Sequence, residues 1–184
     1  MGTLKTTNIQ TITGSGTLTL GTSGETLALG SGVTSNLLHP AFEAFLSATQ
    51  SISDNTDTKI QFDSEVIDTD NCYDNSTNYR FTPTVAGKYF VYAKIRLQTN
   101  ANTSLAHSEV AIRKNNTPLI ETRNIQSANY LRADTPTACG IIDMNGTTDY
   151  LEVFGNMDST SGIDGVIGTS AKRHSNFGAY RIGT

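Results

Sequence analysis

The chain has 184 residues, enough for one domain and a short appendage. Its formal net charge is -4 and its basic residues are scattered apart from Lys172-Arg173, which argues against a nucleic-acid footprint, and no apolar run nears the ~20 residues that cross a bilayer. Charged residues make up only 16%, against about 25% in an average soluble domain, while Thr, Ser, Asn and Gly abound; this bias suits exposed β structure with polar turns.

Residues 1–38 differ from everything after them. They are nearly free of aromatics, and Thr17-Leu18-Thr19-Leu20-Gly21-Thr22-Ser23-Gly24 recurs nine residues later as Thr26-Leu27-Ala28-Leu29-Gly30-Ser31-Gly32. Each unit reads as a short strand with leucine on alternate positions, closed by a glycine turn. A unit this small cannot bury its own leucines. The composition alone also allows a flexible Gly/Ser/Thr linker. Regular leucines are foreign to a linker, and they favour a fibrous shaft in which three chains bury Leu18, Leu20, Leu27 and Leu29 against their copies. The segment resembles the shafts of bacteriophage tail and head fibres, which commonly end in a receptor-binding knob. Leu37-Leu38-His39-Pro40 is then the joint, and residues 39–184 form the head.

From Pro40 the pattern is that of an all-β domain. Ala41 to Leu46 reads as the first strand, Ser51 to Thr58 as a polar turn, Lys59 to Ile67 as the next strand, and Asp68 to Asn78 as a loop crowded with Asp and Asn. Two strands follow, Tyr79 to Thr82 and Lys88 to Leu97, joined by a connector whose Pro83 and Gly87 suit a turn. In the longer one Tyr89, Val91, Ala93, Ile95 and Leu97 point one way and Phe90, Tyr92, Lys94 and Arg96 the other, the period of a strand with one buried face. After a loop at Gln98 to Ser104, strands are predicted at Ser108 to Lys114, from Leu119, at Ala138 to Met144 and at Tyr150 to Phe154. Residues 155–176 hold four of the sixteen glycines and read as an exposed loop, broken by a short strand around Val166 and Ile167.

These strands carry a resemblance. Ile60-Gln61-Phe62-Asp63, Tyr73-Asp74, Phe81-Thr82-Pro83 and Gly87-Lys88-Tyr89-Phe90 resemble, in order, the central signature of the C1q globular head and its tumour-necrosis-factor-like relatives. Val110 to Asn116 is similar to the family's strand ending in a "KNG" turn, with Asn116 in the glycine place. Asp149 to Val153 is similar to its "GDxVxV" strand, with Thr148 for the glycine, and Phe177 to Ile182 to its closing strand. The likeness covers residues 40–184 and rests on the ordered set. It implies a ten-stranded jelly-roll sandwich that assembles as a homotrimer and serves binding, with aromatics along the trimer axis; Tyr79, Tyr92 and Tyr180 are the candidates. Asn116 and Thr148 fall in turns, where local geometry is at stake more than the fold. The predicted core is Phe62, Phe81, Tyr89, Val91, Val153 and Phe177.

Sites for chemistry are sparse. Asp68, Asp70 and Asp74 begin like a calcium loop, but Cys72 and Tyr73 occupy its fifth and sixth positions and no Glu falls at the twelfth, so a solvated acidic loop is expected. Some members of the resembled family bind calcium at the trimer top, which keeps a looser site open; no other cofactor is expected. His39, His107 and His174 lack paired-ligand spacing, and no nucleophile or dinucleotide motif occurs, so an enzyme is not expected. Cys72 and Cys139 read as free, buried thiols. Asn75, Asn102, Asn115 and Asn145 begin glycosylation-like triplets that read most simply as turns. Together the residues and the resemblances point to a trimeric fibre or spike on a virion surface. Its partners would be other virion proteins at the amino-terminal segment and a host surface glycan or protein at the head. The alternatives are a virion decoration or cementing protein without a receptor, and a non-viral C1q-type adhesion module.

Overall fold

The structure is a computed structural model that describes residues 39–100, 104–168 and 173–183. The predicted shaft, with Leu18, Leu20, Leu27 and Leu29, lies outside the described residues. Among the described residues there are fifteen strand segments and no helix. In chain order they are β1 (Ala41–Phe45), β2 (Gln50–Ile52), β3 (Thr58–Lys59), β4 (Ser64–Asp68), β5 (Tyr73–Asp74), β6 (Arg80–Phe81), β7 (Gly87–Lys94) and β8 (Leu97–Thr99). They continue as β9 (Leu105–Lys114), β10 (Thr117–Ile125), β11 (Ala133–Asp134), β12 (Thr137–Met144), β13 (Leu151–Ser159), β14 (Gly165–Ile167) and β15 (Asn176–Gly183).

Three antiparallel sheets result. One runs β12-β7-β15-β1-β4, a second β10-β9-β13-β6-β5 with β3 also paired to β13, and a third β11-β8-β14-β2. This is the jelly-roll architecture expected, although its ladders break into more segments than ten. Two residues separate β7 from β8, and residues 60–63 leave the ladder between β3 and β4 while Ile60 and Phe62 turn into the core.

The core forms because alternate strand positions face one another across the sandwich. Tyr89, Val91 and Ala93 of β7, Phe42 and Ala44 of β1, and Phe177 and Ala179 of β15 are buried from one side. Val110 and Ile112 of β9, Leu151, Val153 and Met157 of β13, and Phe81 of β6 are buried in the same cluster. Phe42 is stacked on Tyr73 at 4.7 Å and on Phe81 at 4.5 Å, and meets Phe177 edge-on at 4.8 Å. All six predicted core residues have no exposed surface, and each such aromatic or aliphatic side chain contributes about 1.5–3 kcal/mol relative to exposure. Buried tyrosines keep their hydroxyls paired: Tyr73 donates to the Phe62 carbonyl at 3.1 Å and Tyr89 to the Val85 carbonyl at 2.7 Å. Burial pushes the Tyr89 hydroxyl up to about 12.

The two departures from the family pattern are absorbed locally. Asn115 and Asn116 adopt φ of 51° and 66°, so the β9–β10 hairpin keeps a tight turn with asparagine doing glycine's work. In the turn before β13, the Asn145 carbonyl oxygen Oδ1 accepts the N–H groups of Thr147, Thr148 and Asp149, which makes a glycine at 148 unnecessary.

Four expectations need correction. The polar turn predicted at 51–58 contains β2, because Ile52 is buried and its strand pairs with β14. The Asp/Asn loop at 68–78 contains β5, held by pairing to β6. Residues 155–159 are not loop but the end of β13: Gly155 packs so closely that an added Cβ would meet Ile95 Cδ1 at 2.7 Å, and Met157 is fully buried. The predicted strand at Val166 and Ile167 is β14. Cys72 is buried as expected, but Cys139 is exposed, because it sits at an outward position of β12 opposite Tyr92.

Candidate functional site

Two outward sheet faces and three clefts are the features of the described surface that bear on function. On the five-stranded sheet, cross-strand register brings Ile141, Phe90, Tyr180 and Ala41 into one row and Cys139, Tyr92, Gly178, Glu43 and Ile67 into the next. The alternation that buries Tyr89, Val91 and Ala93 compels Phe90 and Tyr92 to point away from the core. Phe90 lies 5.5 Å from Tyr180 and 6.3 Å from Tyr92, centroid to centroid. Exposure is substantial at Ile141 (61%), Ile67 (50%), Ile182 (42%) and Tyr180 (39%). Ile141, Phe90 and Tyr180 sit side by side on β12, β7 and β15 and form a patch, which scattered surface leucines would not, while Ile67 lies at the far β4 edge.

Glycine at 178 is required by this face. An added Cβ would lie 2.4 Å from the Tyr92 hydroxyl and 2.5 Å from its ring carbon, so the Tyr92 ring lies flat across the strand. The same hydroxyl donates to Glu43 Oε2 at 2.6 Å. Burial, and then that hydrogen bond, holds the phenol well above the ordinary tyrosine range. Arg173 completes the rim, 3.5 Å from Glu43 Oε1 and over the Phe45 ring at 5.3 Å. At the β12 edge, Ile141 joins Leu119, Ile120 and Ile142 in lining a cleft of about 430 Å³.

The C1q/TNF-like resemblance groups Tyr79, Tyr92 and Tyr180 as candidates for a trimer axis. The structure brings Tyr92 and Tyr180 together through Phe90. It places Tyr79 elsewhere, in the turn before β6, where it lines a cleft of about 340 Å³ with Thr49, Gln50, Ser51, Gln61 and Asp63.

Within one chain the carboxylates of the acidic loop are engaged by its own backbone and side chains. Asp68 accepts the N–H groups of Cys72 and Tyr73, Asp70 accepts the Thr69 hydroxyl, and Asp74 accepts the N–H groups of Ser76, Thr77 and Asn78. Those bonds, with Thr77 the strongest, hold the Asp74 carboxyl far below the usual carboxylate range. Among the described residues no three His, Cys, Asp or Glu groups converge. The loop instead walls a second polar cleft of about 410 Å³ with Glu65 and Arg80, whose guanidinium stacks 4.5 Å from the Tyr150 ring.

No family model matches the chain, and no curated protein matches it. Solved structures do. The tumour-necrosis-factor protein Eiger from S. frugiperda aligns with a TM-score of 0.55 at 11% identity, over 77% of this chain and 91% of that one. The globular domain of zebrafish complement 1qA aligns at 0.52 and 12%, over 78% and 97%, and murine APRIL at 0.52 and 10%, over 77% and 98%. The described head is thus an all-β C1q/TNF-like jelly roll.

Proposed function

We propose that this chain is the subunit of a homotrimeric fibre or spike on a virion, whose C1q-like head binds a host-cell surface while residues 1–38 form the stalk that joins other virion proteins. The observation that carries the assembly half is the uncovered patch of Phe90, Tyr92, Tyr180, Ile141 and Ile182. The Leu119–Ile120 edge adjoins this face at Ile141, and an edge-to-face contact between copies would be heterologous, giving a ring where the rotation closes. Closure at three is what the C1q/TNF-like fold leads one to expect. The stalk half is supported by the nine-residue leucine repeat. Binding then follows from valency: three weak sites on one rigid head raise avidity by a factor on the order of 100 or more without any single tight contact.

The test is binding of fluorescently labelled intact protein to a panel of bacterial cells, compared with an Ile141→Arg variant. The reading expects saturable binding to some strains, competed by unlabelled protein and lost when the patch is charged. Binding to none, together with stable attachment to virion shells, would replace it with the cementing role.

A further inference from the structure

Tyr79 stands out among the left-handed positions. Among the described non-glycine residues with positive φ, all but Tyr79 and Arg173 are asparagines: Asn55, Asn71, Asn115, Asn116 and Asn129. Asparagine tolerates that region because its short side chain bonds locally, whereas an aromatic residue at φ 49° is strained. Such strain persists only where the surroundings over-determine it. They do so on both sides. Asp74 ties down the N–H groups of Ser76, Thr77 and Asn78, and Arg80 is fixed by pairing with Asp74 in the β5–β6 ladder and by stacking on Tyr150. The clamp presents the Tyr79 side chain to its cleft, and among the described residues no other aromatic ring or cation stacks on it.

The rest of that cleft is built from committed walls and uncommitted groups. Gln50 is locked, its amide nitrogen donating to the Lys59 carbonyl at 2.7 Å and its amide oxygen accepting from the Gln61 N–H at 2.9 Å. Asp63 is locked by Ser47, through N–H at 2.7 Å and hydroxyl at 2.5 Å. The side chains of Thr49, Ser51, Gln61 and Tyr79 make no hydrogen bond to any described residue and offer both donors and acceptors. No Lys or Arg lines the cleft, which disfavours phosphate, and beside Leu46 and Ala48 its lining is mostly polar, which disfavours a wholly apolar ligand. A pyranose meets both requirements, since its axial C–H face packs on an aromatic ring while its hydroxyls both donate and accept. A volume of about 340 Å³ falls at the small end for ligand sites and suits one sugar ring.

We infer that the cleft bounded by Tyr79, Thr49, Ser51, Gln61, Gln50 and Asp63 is a carbohydrate subsite for a neutral hexopyranose, with Tyr79 as its stacking platform. The inference deepens the surface-adhesion reading and rests on it. Its test is saturation-transfer difference NMR on the intact protein with the methyl glycosides of glucose, galactose, mannose and N-acetylglucosamine, each titrated to a few tens of millimolar. At least one glycoside should receive saturation at its axial ring protons, with an affinity on the order of 1 mM, as expected for so small a ligand. Tyr79→Phe should keep that affinity, while Tyr79→Asn should weaken it about tenfold or more. Asparagine suits the left-handed backbone, and a urea unfolding midpoint measured on the same variant separates lost transfer from lost folding. Transfer from none of the four glycosides, or transfer equal in parent and Tyr79→Asn, overturns the subsite. If cells are still bound in that case, the adhesion reading survives without it. If sugars bind but cells do not, the adhesion reading fails and the subsite stands.

Discussion

The two outward faces of the sandwich solve opposite problems. On the six-stranded sheet, charges neutralise one another within the chain. Arg113 pairs with Asp57 and lies 3.8 Å over the Phe154 ring, Lys59 pairs with Glu152, and Arg123 meets Glu109 at 2.6 Å. Ile125 and Leu119, both on β10, are the exposed aliphatic exceptions there. On the five-stranded sheet, the same period-two geometry instead turns the half-buried Phe90 and Tyr92 and the exposed Tyr180, Ile141 and Ile67 outward, with Glu43 inset and the Lys88–Asp143 pair beside them. One face pairs its charges within the chain; the other leaves aromatic and aliphatic side chains at outward positions, the feature on which the proposed assembly rests. A shared core underlies both, so the difference lies wholly in which residues occupy outward positions.

The largest expected effect comes from attacking the apolar face. Ile141→Arg or Tyr180→Asp buries a charge at every copy-to-copy contact and should cost about 2 kcal/mol or more per contact, enough to dissociate the assembly at micromolar concentration, as sedimentation velocity would read. Arg123→Gln, on the opposite face, should leave the sedimenting mass unchanged. Next is Gly178→Ala, which drives a Cβ into the Tyr92 ring and should destabilise the fold by about 1–3 kcal/mol in urea unfolding. Removing the ring as well, with Tyr92→Ala, should recover part of that loss, which a double-mutant cycle would show. Smaller again is Arg113→Lys on the paired face. It forfeits the stacked guanidinium over Phe154 and should cost about 1 kcal/mol.

The smallest effect is that of pH. The Asn156 side chain, followed by Arg113, holds Asp57 below its ordinary carboxylate value, and the Lys114 ammonium does the same for Asp149. Their folded values lie below the unfolded ones, so their stabilisation is fully present above about pH 4 and is lost as pH falls through the depressed folded values. The melting temperature should therefore stay level from neutrality to about pH 4 and decline below it, while the assembled mass holds through the level range.

Much of this was readable in the residues. The alternation from Tyr89 to Leu97 marks a strand with one buried face, and it also announces the outward Phe90 and Tyr92. Six aromatic and aliphatic core positions followed from pattern and resemblance together. Other features were illegible for physical reasons. Gly155 looks like a turn residue, yet it is a close-packing position beneath Ile95 and Ile60. Cys139 has the chemistry of a buried residue but the parity of an exposed one. The three residues of β2 are too few to show a period. Tyr79 was grouped with the other tyrosines by type, and nothing local reveals its left-handed backbone. Its cleft joins residues from positions 46 to 79, brought together only by the fold.

The central claim is that the exposed aromatic face is covered by another copy of the chain, and the solution mass of the intact protein by sedimentation equilibrium tests it most directly. The account predicts three times the chain mass for the parent and one chain mass for Ile141→Arg. A parent that sediments as a single chain at micromolar concentration would contradict it.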